Sequence, residues 1–367
     1  MQQSFDLEQY LTAGVQDLLA DAARAALGNP RETAFLARYA LSARRAAARR
    51  ARAAKSGDHV PSFLIASITE RCNLACAGCY ARANGACHSQ PASEGMTAGQ
   101  WGRIFREAQD LGVSLVLLAG GEPLLRADVL DEAAKRPGLL FPVFTNGTLL
   151  TPQAVALFDR HRNLVPILSV EGSQARTDAR RGEGVHEQLQ SAMAALSQHR
   201  VLFGASVTVT RDNLQEITSA DFLDAMETQG CKVILYVEYV PADGQSQALA
   251  PNEKDRALLD ERLLALRQAR PGVVFVSFPG DERQTSGCLA AGRGFFHINA
   301  HGGAEPCPFS PFSDTNLKDK PLREALRSPL FRRLREADLL QMGHDGGCAL
   351  FSHEQAVRTL IDEPPAS

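Results

Sequence analysis

The chain has 367 residues, with 39 Lys and Arg against 42 Asp and Glu and a formal net charge of −3. That near-balance gives no general affinity for nucleic acid or an acidic membrane surface, and no apolar run reaches membrane-span length or follows a charged N-terminus as an export signal does. An apolar fraction of 44% can bury the core of one large domain plus a smaller one, and eight cysteines point to a reducing cytoplasm and metal ligation rather than disulfides.

Residues 1–58 read as a helical extension. Leu7, Leu11, Val15, Leu18, Leu19 and Ala22 recur at helical spacing until Gly28-Asn29-Pro30 breaks the run. A second helix is expected after Pro30, through Phe35, Leu36, Tyr39 and Leu41, into a basic stretch of Arg44, Arg45, Arg49, Arg50, Arg52 and Lys55. That stretch reads as a solvated helix face whose aliphatic stems lie on the domain below, in preference to a site for an anionic ligand.

From 59 to 247 strands and helices alternate. Strands are expected at Phe63–Ile68, Leu115–Leu118, Leu140–Phe144, Val165–Val170, Leu202–Val209 and Val233–Tyr239. Six strands with intervening helices imply parallel pairing and right-handed crossovers, with active groups at the C-terminal strand ends. The first strand runs into Thr69-Glu70-Arg71-Cys72-Asn73-Leu74-Ala75-Cys76-Ala77-Gly78-Cys79-Tyr80. Three thiolates in one tight loop can hold three corners of an iron–sulfur cube, leaving one iron open. A structural zinc site would show paired C-x-x-C halves and four ligands, and a disulfide framework leaves one cysteine over.

Further strand ends carry polar residues. Gly120-Gly121-Glu122-Pro123 follows the second strand and Thr145-Asn146-Gly147 the third. Ser169 and Glu171 share one face at the end of the fourth. Ser206, Thr208 and Thr210 line one face of the fifth before Arg211, and Tyr236 and Glu238 share a face of the sixth. Buried polar groups without partners cost about 1–3 kcal/mol each, so a polar inner face is expected where a polar ligand fills the lumen. The alternative turns these groups toward the covering helices. Cys87-His88 reads as an ordinary loop pair and Cys231 as a small core residue.

Residues 248–367 begin with a helix at 253–270 and a strand at Val273–Phe278. A hairpin is expected next, from Phe295–Asn299 through Gly302-Gly303 to 304–306, with Cys288 and Cys307 at its ends and Cys348 in a later loop. These three cysteines either converge on a second cluster or are simply buried thiols.

The Cys72-x3-Cys76-x2-Cys79-Tyr80 pattern resembles the signature of the radical S-adenosylmethionine (radical SAM) superfamily. The resemblance implies an α/β fold: a partial (β/α)6 TIM-like barrel (59–247), the helical extension (1–58), and a small α+β auxiliary-cluster domain (248–367) similar to SPASM and Twitch domains. It implies a [4Fe–4S] cluster on Cys72, Cys76 and Cys79 whose fourth iron is chelated by SAM. Tyr80, Gly120, Gly121, Glu122, Pro123, Asn146, Ser169, Glu171, Thr208 and Arg211 would then line the SAM site, with Asn213 a weaker candidate. Asp178, Arg181 and Gly182 resemble an Asp-x-x-Arg-Gly segment expected to brace a loop or meet substrate. Cys288, Cys307 and Cys348 are fewer than the seven cysteines of a full SPASM domain, which implies one auxiliary cluster, its fourth site open or taken by His344, His353, Cys231 or a carboxylate. The implied activity is hydrogen abstraction from a small-molecule or lipid substrate, with a reductase such as flavodoxin or ferredoxin as electron donor. A peptide substrate is the alternative, and a non-catalytic iron–sulfur carrier the alternative of another class.

Overall fold

Seven strands alternate with helices along most of the chain: β1 (Phe63–Thr69), β2 (Leu115–Gly120), β3 (Phe141–Thr145), β4 (Leu164–Val170), β5 (Gly204–Val209), β6 (Val233–Glu238) and β7 (Val274–Phe278). Three short strands follow, β8 (His297–Ile298), β9 (Gly303–Glu305) and β10 (Thr315–Asn316). Helices of eight residues or more are α1 (Pro30–Lys55), α2 (Ala98–Leu111), α3 (Ala127–Ala134), α4 (Pro152–Arg160), α5 (Gln174–Arg181), α6 (Val185–Gln198), α7 (Ala220–Thr228), α8 (Glu253–Ala269), α9 (Pro329–Glu336) and α10 (Glu354–Asp362). The computed structural model describes residues 29–90, 93, 95–281, 287–337, 339–340 and 348–362. The helix expected over Leu7 to Ala22, as well as His344, Gly346 and Gly347, lies outside them. Among the described residues no helix is long and apolar enough to cross a membrane.

All strands belong to one sheet in the order β10-β9-β8-β1-β2-β3-β4-β5-β6-β7. β1 to β7 pair in parallel with their neighbours, as a partial barrel of β/α units requires. The six expected barrel strands are present, and β7 adds a seventh to the β6 edge. At the other edge β8 runs parallel to β1, with Ile65 opposite His297, and β9 returns antiparallel to β8. The C-terminal hairpin therefore extends the barrel's own sheet.

Alternation sorts the strand residues onto two faces. Leu164, Leu168 and Val170 of β4, Ala205, Val207 and Val209 of β5, and Ile234 and Tyr236 of β6 join the core shared with the helices. The alternate residues Val165, Ile167, Ser169, Ser206, Thr208, Leu235 and Val237 face the concave side. Tyr236 and Glu238 thus depart from the polar-lumen expectation. The Tyr236 hydroxyl donates to Ile217 O at 2.8 Å, and Arg256 of α8 donates to Glu238 at 2.5 Å. A helix-side carboxylate is tolerated there because α8 supplies its cation.

Helix α1 closes the N-terminal end of the barrel. Asn29 caps it by accepting from Arg31 N and Glu32 N, and Pro30 occupies its first turn. Phe35, Leu36, Tyr39 and Ala43 bury against Leu140, and the Tyr39 hydroxyl donates to Ser114 O at 2.8 Å. Within the basic stretch, Arg50 is buried and donates to Gly112 O at 2.7 Å, whereas Arg44, Arg45, Arg49, Arg52 and Lys55 are exposed. Buried Glu32 accepts from Arg162 Nη1 at 2.5 Å and Leu202 N at 3.0 Å. Replacing Glu32 with Ala should lower stability by about 1–3 kcal/mol, the cost of buried donors left unsatisfied. A fully orphaned charge would cost more, but Asp159 still neutralises Arg162. The urea midpoint measures this; an unchanged midpoint would show that α1 does not depend on the pair.

Candidate active site at the barrel rim

The cysteine loop leaves β1 through a register irregularity between Ser67 and Thr69 and ends in a one-turn helix, Tyr80–Ala83. With no regular structure of its own, it is held by its neighbours. From β2, Gly121 N donates to Thr69 O at 2.7 Å and Glu122 N to Arg71 O at 2.8 Å. From β3, Asn146 Nδ2 donates to Asn73 Oδ1 at 2.9 Å, and Asn73 Nδ2 donates to Thr148 Oγ1 at 2.8 Å. From α5, Ala77 N donates to Arg180 O at 2.8 Å while Arg180 Nε donates to Ala77 O at 3.2 Å. On the last side, Cys72 N donates to His88 O at 3.0 Å.

The double glycine has a specific steric role. A Cβ on Gly121 would lie 2.1 Å from Arg71 O, and one on Gly120, whose φ is +112°, would lie 2.3 Å from Thr69 O. The close approach that demands glycine is thus to the stem of the cysteine loop. Gly78 (φ +64°) is the second such point, because a Cβ there would lie 2.3 Å from the Tyr239 hydroxyl. Tyr239, just past β6, hydrogen-bonds Ser246 Oγ at 2.6 Å, and the Arg180 guanidinium stands 5.9 Å from its ring centroid.

Glu122 is buried, and both carboxylate oxygens are engaged: Oε1 by Leu124 N at 3.0 Å and Thr145 Oγ1 at 2.8 Å, Oε2 by Asn146 N at 2.8 Å. Burial pushes its carboxyl up, against the pull of those three donors. Pro123 opens the short turn that follows. Glu171 is buried beside α5. Arg180 Nη1 donates to its Oε1 at 2.6 Å and Arg181 Nε at 2.9 Å, while Oε2 is buried without a donor. Thr208 Oγ1 also accepts from Arg180 Nη1 at 2.6 Å. Ser169 and Ser206 sit opposite each other in the β4–β5 register on the concave face. Arg211, by contrast, is half-exposed and pairs with Asp255 at 3.3 Å. Asn213 is buried and donates to Glu171 O and Thr208 O at 3.2 and 2.9 Å.

The thiols differ in their surroundings. A hydrogen bond from Cys87 pulls Cys79 down to about 5 and Cys72 to about 7, and the same bonds push Cys87 up. Burial pushes Cys76 up, opposed by Arg181 and Arg180. Arg181 is itself half-buried; burial pulls it down, but the charges of Glu171 and Cys76 outweigh that and raise it. Cys87 thus lies beside the cysteine loop and is buried. The bridge Arg71↔His88 draws residues 86–88 alongside the loop stem, a pairing that no local pattern announces.

The second set of thiols also comes together. Cys288, Cys307 and Cys348 are all buried, and burial, then a hydrogen bond and charge from Cys348 and the charge of Cys288, push Cys307 up. Tyr80 is near both sets: burial pushes its phenol up, the charges of Cys79 and Cys307 add to that, and its ring meets Phe309 at 4.7 Å. Among the described residues no group of three or more His, Cys, Asp or Glu side chains is arranged to hold a single metal ion. A cluster spreads its ligands over several irons. Cys231 is buried in the barrel core, its thiol donating to Val233 O at 3.3 Å, and His353 hydrogen-bonds Ala349 O at 2.8 Å.

One further constellation has no signal in the sequence. Ser67 Oγ lies 2.7 Å from His297 Nε2, His297 Nδ1 lies 2.6 Å from Glu305 Oε2, and Asn299 Nδ2 donates to Glu305 Oε1 at 2.6 Å. The chain of bonds runs from the hairpin to β1 near the cysteine loop.

Residues 66–227 match the family described as the Radical SAM superfamily. Those residues form a radical SAM domain. The chain is 27% identical over 326 residues to the AdoMet-dependent heme synthase of Methanosarcina barkeri, covering 81% of this chain and 90% of that one. It is 24% identical to the PqqA peptide cyclase of Rhizobium meliloti, covering 67% of each. The crystal structure of Streptococcus suis SuiB bound to S-adenosylmethionine shares the fold with a TM-score of 0.67 at 18% identity, covering 87% of this chain and 79% of that one. The structural likeness extends well beyond residues 66–227 and so includes C-terminal elements. A radical SAM domain implies an enzyme that uses SAM and a SAM-bound [4Fe–4S] cluster.

Replacing Gly121 with Ala should push Arg71 and the loop stem out of place. Iron uptake on anaerobic reconstitution should fall severalfold with an unchanged far-UV circular dichroism spectrum. Wild-type iron uptake would show that the stem contact does not position the cysteines.

Proposed function

We propose that the chain is a radical SAM oxidoreductase that removes a hydrogen atom from a small organic substrate held in the barrel lumen. The observation that carries this reading is the placement of the clamped cysteine loop at the C-terminal rim. Beside it stand the hydroxyls of Ser169, Ser206 and Thr208, and below it Phe144, Leu235, Val237 and Val276 are apolar and only half-buried. Half-exposed apolar side chains inside a barrel suit a largely apolar ligand, with polar groups at one end to orient it.

Cys72, Cys76 and Cys79 would hold the SAM-binding cluster; their partly exposed thiols and low-lying Cys72 and Cys79 fit thiolate ligation. When bound, the pair supplies a 5′-deoxyadenosyl radical by one-electron reductive cleavage of SAM. The chain's residues bind and orient. Glu171 Oε2, a buried acceptor without a protein donor, suits a SAM ammonium or hydroxyl. Glu122 braces the turn that carries Asn146 to the cysteine loop. Arg180 and Arg181 bring positive charge to the rim closer to the cysteines than Arg211, which is engaged with Asp255. Cys288, Cys307 and Cys348 fit three ligands of an auxiliary cluster, with Tyr80 near both sets. A flavodoxin or ferredoxin in the cytoplasm would supply the electron.

The heme synthase relatives, matched over most of their length, favour a small molecule. The PqqA peptide cyclase supports the second reading, a peptide substrate. The family match favours either over a non-catalytic carrier.

Two measurements test this. Dithionite-reduced protein should convert SAM to 5′-deoxyadenosine, and Cys76→Ala should abolish it; persistence of the product would overturn the assignment. Iron should fall from about eight per chain to about four when Cys72, Cys76 and Cys79 are all replaced by Ala, the result of losing one of two four-iron clusters. Stimulation of deoxyadenosine formation by a tetrapyrrole would support the small molecule, and stimulation by peptides alone would replace it.

A further inference from the structure

We propose that Ser67, His297 and Glu305 form a second catalytic site in the barrel lumen, an activated serine that takes the acyl group of a small carboxylic ester. The inference does not rest on the hydrogen-abstraction reading, and its test needs no SAM.

The bonds of this constellation run in one direction. Asn299 Oδ1 accepts from His301 N at 3.0 Å and from Gly303 N at 2.9 Å, which leaves Asn299 Nδ2 to donate to Glu305 Oε1 at 2.6 Å. A Cβ on Gly303 would lie 2.6 Å from that nitrogen, so only glycine there leaves Asn299 in place. The Glu305 carboxylate accepts, so His297 Nδ1, 2.6 Å from Glu305 Oε2, carries the proton of the neutral ring. His297 Nε2 then offers its lone pair to the Ser67 hydroxyl at 2.7 Å. A hydroxyl within reach of a base, with the base oriented by a carboxylate, is the arrangement that activates a serine.

Exposure follows the same order. His297 is 4% exposed and Glu305 5%, so little water competes for their bonds. Ser67 is only half-buried. Ala66 and Ile68 on either side of it turn into the core shared with the helices, so Ser67 faces the concave side. There Phe144, Leu235, Val237 and Val276 are half-buried. A hydroxyl at the rim above an apolar wall fits an ester whose apolar part lies in the lumen. Pinning β8 to β1 would be served as well by a buried hydroxyl, yet the hydroxyl is the open end of the chain of bonds.

The step balances without an electron gained or lost. Ser67 Oγ bonds to the acyl carbon as its proton passes to His297 Nε2. The ester C–O bond breaks, and the leaving alcohol takes that proton. Water, giving a proton to the same nitrogen, then attacks the acyl carbon; the acid leaves and the proton returns to Ser67 Oγ.

The test uses the full chain, reconstituted anaerobically with iron and sulfide and without SAM, as wild type, Ser67→Ala, His297→Gln and Glu305→Gln. The probe is a biotinylated alkyl fluorophosphonate, and peptide mass spectrometry locates the adduct. The wild type should carry the adduct on Ser67, and Ser67→Ala should stay unlabelled. Labelling of His297→Gln should be about 100-fold slower, the lower end of what a general base contributes. Glu305→Gln should lower the maximal labelling rate and leave unchanged the reagent concentration that gives half of it. Wild type should also hydrolyse p-nitrophenyl butyrate, and Ser67→Ala should not. A folded wild type with no adduct on Ser67 overturns the proposal, and so does a His297→Gln rate equal to that of wild type. The adduct is mapped in the wild type, so the outcome does not depend on how well the variants fold.

Discussion

The rest of the site depends on the contact between two stretches of backbone, the β1 stem at Thr69–Arg71 and the Gly120-Gly121 pair at the end of β2. The cysteine loop has no ladder of its own, so its position is inherited from that contact. Two carbonyls of the stem accept from the β2 turn, and any side chain on Gly121 would collide with one of them. Glu122 follows directly and ties the same turn to Thr145 and Asn146, and Asn146 in turn reaches Asn73. A single chain of bonds therefore runs from β1 through β2 and β3 back into the cysteine loop.

Charge is arranged around this frame with the same economy. Glu171 is buried and would be unfavourable alone, and so would Arg181. Paired, they place a cation beside Cys76 while the Arg180 backbone holds Ala77. The helix α5 that carries both arginines thus acts on the loop mechanically and electrostatically.

Much of the barrel was legible because apolar runs of strand length alternate with capped helices. Thr97 and Thr151, hydroxyl residues directly before helical stretches, cap α2 and α4. The cysteine spacing is legible because its ligands are local. What the sequence hid depends on long-range pairing. The strand at Val274–Phe278 reads as part of a separate C-terminal unit, yet it hydrogen-bonds to β6 in parallel. Tyr236 and Glu238 share a face as alternation requires, but alternation cannot say which face, and α8 decides it with Arg256. Cys87 reads as a loop residue until the bridge at His88 brings it alongside Cys72. Ser67 and His297 are 230 positions apart, and only the pairing of β8 with β1 makes them neighbours.

That pairing has a consequence for how the molecule is assembled. Among the described strands β1 leaves the ribosome first, but its second neighbour in the sheet is made more than 200 residues later, when Phe63 N and Ile65 N find Gly294 O and Phe296 O. Until then the strand that carries the cysteine loop has an open edge. Synthesis of the hairpin is what completes it, so the loop reaches its final support only after β8 has been made. The order of events then favours delivery of iron after the hairpin has formed, and it ties the integrity of the rim to a segment far from it in the chain.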